Sequence, residues 1–511
     1  MNVFKKIDLS FFYMILSMVL LSVPFINFNC FPVAFFALIP FIIALRDISI
    51  KKSFVYSLIA GALFSLIISK DVIFNVHIIF VFITVVYCIS LALFTVLTVY
   101  FYKHTEPGEV FKRILFTACV YVFIFEYLRL LGALGAGSHI LAYSQYKFLP
   151  LIQIAGITGC FGVSWLVVFV NVFFAEMIYM SMHKRRIKPY HWMIPLLIIL
   201  LCFLYGVLKL NTDYLKKDYL KASVIQTNLI QNIEWNTPHL YRSLWENIRL
   251  SYEAVEKNSD MIIWAEGSLP DYIEHRKDIL IPLYDFVDKY NVNILAGSYR
   301  TFSGKYFNSA FSISPGKGII DTYSKNKLFP FGEYNPFRKF MPGLKVMKDQ
   351  RFYTPGSAQT VFDIKNKRFS VLICMESLLP DFCRNAVLGG AQFLVVITND
   401  EWFTGSSFVE EHLAASVLRA VENRVYLIQA ANTGYSAFID PCGYVYNKSR
   451  ISKEEVLTDN VYITEERSVF TYTGNMFILI NLGIIIFLLS GIIIKTNKKK
   501  VNKGRNILNK E

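Results

Sequence analysis

The run RFSVLICMES, residues 368–377, decides how the second half of this chain folds. Its apolar segment VLIC (371–374) has the length of a buried strand, and the polar pair Glu376 and Ser377 closes it. Strings of the same kind recur around it: ASVIQTN (222–228), DMIIWAEGS (260–268), VNILAGS (292–298) and AQFLVVITND (391–400). Helical stretches alternate with them at about 239–257 and about 408–424, the second being amphipathic. PGKG (315–318) after FSIS and KNKR (365–368) after VFDI signal antiparallel hairpins. Strands alternating with helices between 222 and 440 predict an α/β sandwich that forms its own core.

Three strings in this region carry reactive groups: WAEGSLP (264–270) with Glu266, YSKNKLFPFGEY (323–334) with Lys325, and LICMES (372–377) with Cys374. A thiol is a nucleophile only as thiolate, so it needs a base to take its proton and a cation to favour the charged form. Glu266 and Lys325 supply those two groups, and Lys325 with the backbone N–H after Cys374 would face the oxyanion of a tetrahedral intermediate. That is the equipment for acyl transfer through a thioester. Glu266, Cys374 and Asn399 each stand at or just beyond the end of an apolar strand, where α/β sheets form their sites. Taken singly, Cys374 reads as a buried strand cysteine and Lys325 as part of a solvated basic run with Lys327; the ordered set makes the catalytic reading.

The rest of the chain is too apolar for a soluble enzyme: 54% of 511 residues are hydrophobic, 18% are charged, and the mean hydropathy is +0.42. Apolar runs of spanning length lie at roughly 9–26, 31–45, 53–69, 78–102, 114–131, 156–181, 193–210 and 476–494, about eight in all, the second being short enough for a tilted or re-entrant element. Basic residues follow every second span: Arg46, Lys51 and Lys52, then Lys103, Lys112 and Arg113, then Lys184, Arg185, Arg186 and Lys188, with Lys5 and Lys6 before the first. Short cytoplasmic loops carry this excess, so an N-terminal seven-span membrane domain (1–210) delivers an extracytoplasmic catalytic domain (211–472) to the outer face. A final span with a basic cytoplasmic tail (473–511) completes the chain. The first span, with no small-residue cleavage pattern after it, reads as a retained anchor.

The net charge of +14 is a topology signal and an attraction to anionic lipid, not a nucleic-acid footprint. Of eight cysteines, Cys374, Cys383 and Cys442 fall in the outer domain, so at least one of them stays unpaired within the chain. No Cys/His metal spacing, GxxxxGK, HExxH or dinucleotide fingerprint occurs, and neither metal nor cofactor is expected. Glu126 and Arg129 are spaced to face each other on a helix in the fifth span. Ser138 and His139 in the next loop do not make a hydrolase dyad.

A strand-end Glu, a Lys in YxKxxLxPFGEY and a Cys in ICxE, in that order, resemble the nitrilase, or carbon-nitrogen hydrolase, superfamily. Joined to a polytopic bundle, they resemble the apolipoprotein N-acyltransferases of bacterial inner membranes over nearly the whole chain. YSQ (143–145) with Gln153, Gly159, Gly162, Ser164 and Asn171, the string IQTNLIQNIEW ending at Trp235, NDEWF with Asn399 and Trp402, and AANTGYS around Asn432 are similar to that family's pattern. Met375 stands where well-known members carry Tyr, and the loop GALGAGSHILAYSQ lacks the family's Phe-Pro-Trp string.

The resemblance implies a nitrilase-like αββα sandwich beside the bundle, with Glu266 as general base, Lys325 as oxyanion stabiliser and Cys374 as nucleophile. Glu333 would steady the site, and Glu376 would share a strand face with Cys374 if the strand continues. Trp235, Trp402 and Asn399 would contact substrate. It implies a monomeric enzyme of the inner membrane, its catalytic domain periplasmic, that moves a fatty acyl group from a phospholipid to the α-amino group of a diacylglyceryl-cysteine apolipoprotein, the last step of lipoprotein maturation. The alternatives are a membrane-tethered amidase or hydrolase with water as acceptor, for which one span suffices, and a non-enzymatic scaffold. The Pro- and Gly-rich stretch 335–357 is a lid candidate whose deletion should abolish transfer.

Overall fold

The computed structural model describes residues 8–70, 77–132, 135, 137–212, 218–230, 237–339 and 352–508. Trp235 and residues 340–351 of the lid candidate fall outside that set.

Six helices among the described residues are long and apolar enough to cross a membrane: Leu9–Ile26, Ile50–Ile68, Ile79–His104, Cys160–Met182, Tyr190–Leu210 and Met476–Thr496. The remaining two of the eight expected spans are not single long helices. The stretch expected at 31–45 is broken into a 3-10 segment, Phe28–Phe35, and a short helix, Ile39–Ala44. The backbone groups freed at the break find partners on neighbouring helices. Asn171 accepts from Leu38 N–H (2.8 Å) and donates to Ala34 O (2.8 Å), while Ser17 accepts from Phe41 N–H (2.8 Å). The stretch expected at 114–131 runs as an α-helix, Val110–Val120, then a π turn, Tyr121–Glu126, and a 3-10 turn, Tyr127–Leu130. Glu126 accepts from Leu141 N–H (2.8 Å) in the loop that follows, and Arg129 donates to the carbonyls of Ser138 and His139 there (3.4 Å each) and to the Phe125 carbonyl of its own span. The sixth span begins at Cys160 because Gly159, with φ +67°, turns the chain there, and a Cβ at Gly159 would meet the Phe470 ring at 2.7 Å.

The polar region forms two sheets. One has β1 (Tyr219–Gln226), β2 (Met261–Trp264), β3 (Leu269–Tyr272), β4 (Asn293–Phe302), β5 (Lys305–Ser314), β6 (Gly318–Ser324) and β13 (Glu455–Tyr462), in the order β13-β1-β2-β4-β5-β6 with β3 beside β4. The other has β7 (Val361–Ile364), β8 (Lys367–Ile373), β9 (Phe393–Thr398), β10 (Tyr426–Ala431), β11 (Ala437–Ile439) and β12 (Val445–Lys448), in the order β12-β11-β10-β9-β8-β7. Both expected hairpins, β5–β6 and β7–β8, are antiparallel, and Lys365 and Asn366 both take the positive φ of a tight two-residue turn.

Val224, Ile263 and Leu295 of one sheet and Val371, Val395 and Ile428 of the other belong to one buried cluster between the layers. The helices Thr237–Glu256 and Lys277–Tyr290 cover the outer face of the first sheet through Leu244, Ile248, Leu283 and Val287. The helices Pro380–Leu388 and Phe408–Asn423 cover the second, completing an αββα sandwich. Cys383, Leu413 and Val417 on that second helical layer share a continuous apolar cluster with Tyr143, Ile152 and Phe161 of the bundle. Polar contacts pin the same junction: Glu422 accepts from Cys160 N–H (2.7 Å) at the start of a spanning helix, and Arg424 donates to Gln153 Oε1 (2.6 Å). The second sheet is therefore fastened to the bundle, and its strand ends are held near the membrane helices.

Candidate active site

Glu266 follows β2, Lys325 follows β6, and Cys374 follows β8. All three strands end on one side of the sandwich, and the structure brings these side chains together. Glu266 Oε1 accepts from Asn308 Nδ2 (2.7 Å) and from Lys325 Nζ (3.5 Å), and Oε2 accepts from Asn399 N–H (2.9 Å). Lys325, only 2% exposed, also donates to Glu333 Oε1 (3.0 Å). Asn308 Nδ2 donates to Glu333 Oε1 (2.8 Å) as well, so one amide holds both carboxylates around the ammonium. Asn308 was not singled out from sequence; the signal was a polar residue inside the buried half of β5.

Burial disfavours the charge on Lys325, but Glu333 and Glu266 outweigh it and the ammonium is held well above its usual range. Burial pushes the Cys374 thiol well above its usual range, Glu266 pushes it further, and Lys325 opposes both. Cys374 therefore rests as a thiol, and any attack by its sulfur would require the proton to leave. A raised pKa favours the protonated form at neutral pH, so the thiolate fraction grows only as pH rises. Labelling of Cys374 by iodoacetamide should accelerate about tenfold per pH unit from pH 7 to 9, read by peptide mass spectrometry; a plateau below pH 8 would contradict a raised thiol.

Cys374 takes φ +53°, a left-handed conformation, and this ends β8. The strand does not continue through Glu376: residues Cys374–Leu378 form a 3-10 turn, so Glu376 does not share a strand face with Cys374. Instead Glu376, fully buried, points back under the turn. It accepts from Ile373 N–H (2.9 Å), Asn326 N–H (2.7 Å), Lys327 N–H (3.0 Å) and Tyr323 OH (2.9 Å). One carboxylate thereby ties the segment carrying Lys325 to the segment carrying Cys374. Replacing Glu376 by alanine strands these buried donors and should cost about 3 kcal/mol, seen as a fall of several degrees in the apparent Tm in detergent; an unchanged Tm would refute the tie.

Met375, next to Cys374, and Phe403 and Phe408 line an open cavity whose other wall comes from the bundle: Ile68, Ile79 and Phe82. It encloses about 920 Å³, the solvent at its mouth included, and is mostly apolar. Gly137, Ser138 and His139, in the loop without a Phe-Pro-Trp string, line it as well. His139 Nε2 lies 3.3 Å from Glu411 Oε2, so its partner is a carboxylate of the catalytic region. Trp402 lies in the short turn Glu401–Phe403 beside Asn399. Cys383 and Cys442 are free and buried.

Two sequence profiles match the chain: "Apolipoprotein N-acyltransferase N-terminal domain" over residues 17–173 and "Carbon-nitrogen hydrolase" over residues 221–467. An apolipoprotein N-acyltransferase of Geobacter metallireducens is 33% identical over 66% of this chain and 66% of its own length. The chain belongs to the apolipoprotein N-acyltransferase family, within the nitrilase superfamily. Apolipoprotein N-acyltransferase 1 of Treponema denticola is 28% identical over 89% of this chain and 90% of its own. Among solved structures, Saccharomyces cerevisiae Nit3 matches 51% of this chain and 95% of its own at 15% identity and a TM-score of 0.39. As a family member the chain is an acyltransferase, with apolar membrane helices joined to a nitrilase-like domain.

Proposed function

We propose that this acyltransferase takes a fatty acyl group from a phospholipid and places it on the N-terminal α-amino group of a diacylglyceryl-cysteine lipoprotein. The observation that carries the reading is the cavity: it begins at Met375, beside Cys374, and is walled by both the catalytic region and the membrane helices. Two lipid-anchored substrates need such a path, whereas a hydrolase of soluble amides does not.

In this scheme Cys374 Sγ attacks the ester carbonyl carbon while its proton passes to Glu266. Lys325 and the Met375 N–H receive the oxyanion. The carbon–oxygen bond breaks, the departing lysophospholipid oxygen takes the proton from Glu266, and the acyl group remains on sulfur. The amine then attacks the thioester, Glu266 accepts its proton, and the carbon–sulfur bond breaks to restore Cys374 as the thiol. Glu333 and Asn308 hold Lys325 and Glu266 in register. The Asn399 N–H orients Glu266. In this reading Trp402 and Trp235 would line the acyl path. On the same reading the enzyme acts as a monomer in the inner membrane with its catalytic domain on the periplasmic side, an orientation that the alternation of basic loops supports.

The test is the intact mass of the purified protein after incubation with phosphatidylethanolamine, followed by a diacylglyceryl-cysteine peptide. A fatty-acyl increment that clears onto the peptide amine is expected. An increment lost equally fast without peptide would make the protein a hydrolase, and none in either step would refute the thioester.

A further inference from the structure

The reading above uses the Met375 N–H as an oxyanion donor, and the structure contains buried groups that act on that peptide from behind. His412, on the helix Phe408–Asn423, is completely buried. Its Nδ1 lies 2.9 Å from Asp400 Oδ1, and its Nε2 lies 3.1 Å from Cys374 O and 2.8 Å from Ser377 Oγ. Asp400 is 1% exposed and its Oδ1 also accepts from Thr398 Oγ1 (2.9 Å).

The partners settle the protonation of the ring. Cys374 O is an acceptor only, and Ser377 Oγ donates its hydrogen to that same oxygen (3.0 Å), leaving a lone pair toward Nε2. Nε2 therefore carries hydrogen. Nδ1 faces a carboxylate oxygen, and two lone pairs do not share a 2.9 Å contact, so it carries hydrogen too. Burial works against charge on His412, but the Asp400 carboxylate outweighs it and raises the ring above the usual histidine range. Glu266 adds to that attraction from the far side of Cys374.

The carbonyl that His412 contacts belongs to the same peptide plane as the Met375 N–H. A cation at the oxygen end fixes the plane and polarises the N–H at the other end. It also holds Cys374 in a left-handed conformation that non-glycine residues disfavour. We propose that the buried Asp400–His412 pair is a positioning device that aims and polarises the Cys374–Met375 peptide, so that the Met375 N–H serves as an oxyanion donor. This rests on the thioester reading of Cys374 and assigns it two residues that do not touch the substrate.

The test compares two reactions of Cys374 in the full-length protein, wild type against His412→Gln and Asp400→Asn. Acylation by a long-chain p-nitrophenyl ester builds a tetrahedral oxyanion, whereas alkylation by iodoacetamide does not. The variants should lose about 10- to 100-fold in the acylation rate, with the ester KM unchanged and alkylation within about twofold of wild type. Equal losses in both reactions would make the pair merely structural, and an unchanged acylation rate would overturn the proposal outright. Wild-type protein labelled with ¹⁵N-histidine should show one ring protonated at both nitrogens at pH 8, lost in Asp400→Asn; its absence from wild type overturns the proposal without recourse to any variant's fold. A wild-type protein acylated by the ester but not by phospholipid would defeat the proposed donor while leaving this inference standing.

Discussion

Replacing Cys374 by alanine should remove fatty-acyl transfer by at least about 10⁴-fold and eliminate the acyl adduct, with the fold intact. No other thiol substitutes for it. Cys383 is buried in the helix Pro380–Leu388, Cys442 is buried on the bundle side of the second sheet, and the other five lie in or beside the membrane segments. The left-handed conformation at position 374 costs alanine no more than cysteine, and the Glu376 and His412 bonds to the turn involve backbone or neighbouring groups, so they persist. Turnover and adduct mass decide the outcome. An acylated Cys374→Ala protein would place the nucleophile elsewhere. Serine in the same place should be nearly as inactive, because a carboxylate base that can deprotonate a thiol during attack is far too weak for an alcohol.

Replacing Lys325 by methionine should reduce transfer by about 10³-fold or more and destabilise the protein by about 3–5 kcal/mol. The two losses have different origins. The activity loss would follow from removing the cation that the proposed mechanism sets at the oxyanion. The stability loss follows from leaving Glu266 and Glu333, both well covered, to face each other across Asn308 without a counter-ion. A lysine whose folded pKa is raised contributes stability that is complete below its ordinary range and is lost only as pH rises through the folded value. At neutral pH the whole effect is therefore present. A Lys325→Met, Glu333→Gln double variant should regain most of the Tm in detergent while staying inactive. Recovery of neither property would mean that Lys325 acts through packing, and recovery of activity would remove it from the oxyanion.

Much of the architecture was readable because its signals are local. The strands ending at Trp264, Ile373 and Thr398, the hairpin at Lys365–Asn366 and the helix over 408–423 all come from short-range periodicity and turn chemistry. Long apolar runs marked the spanning helices for the same reason. Helix continuity inside the bundle was not readable: the run at 31–45 is as apolar as its neighbours, and Asn171, Ser17 and Gln145, arriving from other segments, make its break tolerable. The geometry of Glu376 was misjudged because extended spacing was carried past Cys374, where a single positive φ redirects the chain.

Composition and run length marked a membrane protein, and the order of three short strings gave the resemblance to the nitrilase superfamily and singled out Glu266, Lys325 and Cys374 as its expected reactive set. Each of these signals lies within a few residues, where chain connectivity alone guarantees proximity. What the tertiary structure alone decided is how residues from different strands and helices meet. Asn308 bridges two carboxylates drawn from separate loops, and Glu376 ties the segments of Lys325 and Cys374. His412 reaches Cys374 O from a helix that the bundle presses onto the second sheet. Such contacts depend on the relative placement of elements hundreds of atoms apart along the backbone, which is set by burial of the layers between them and leaves no mark in local sequence.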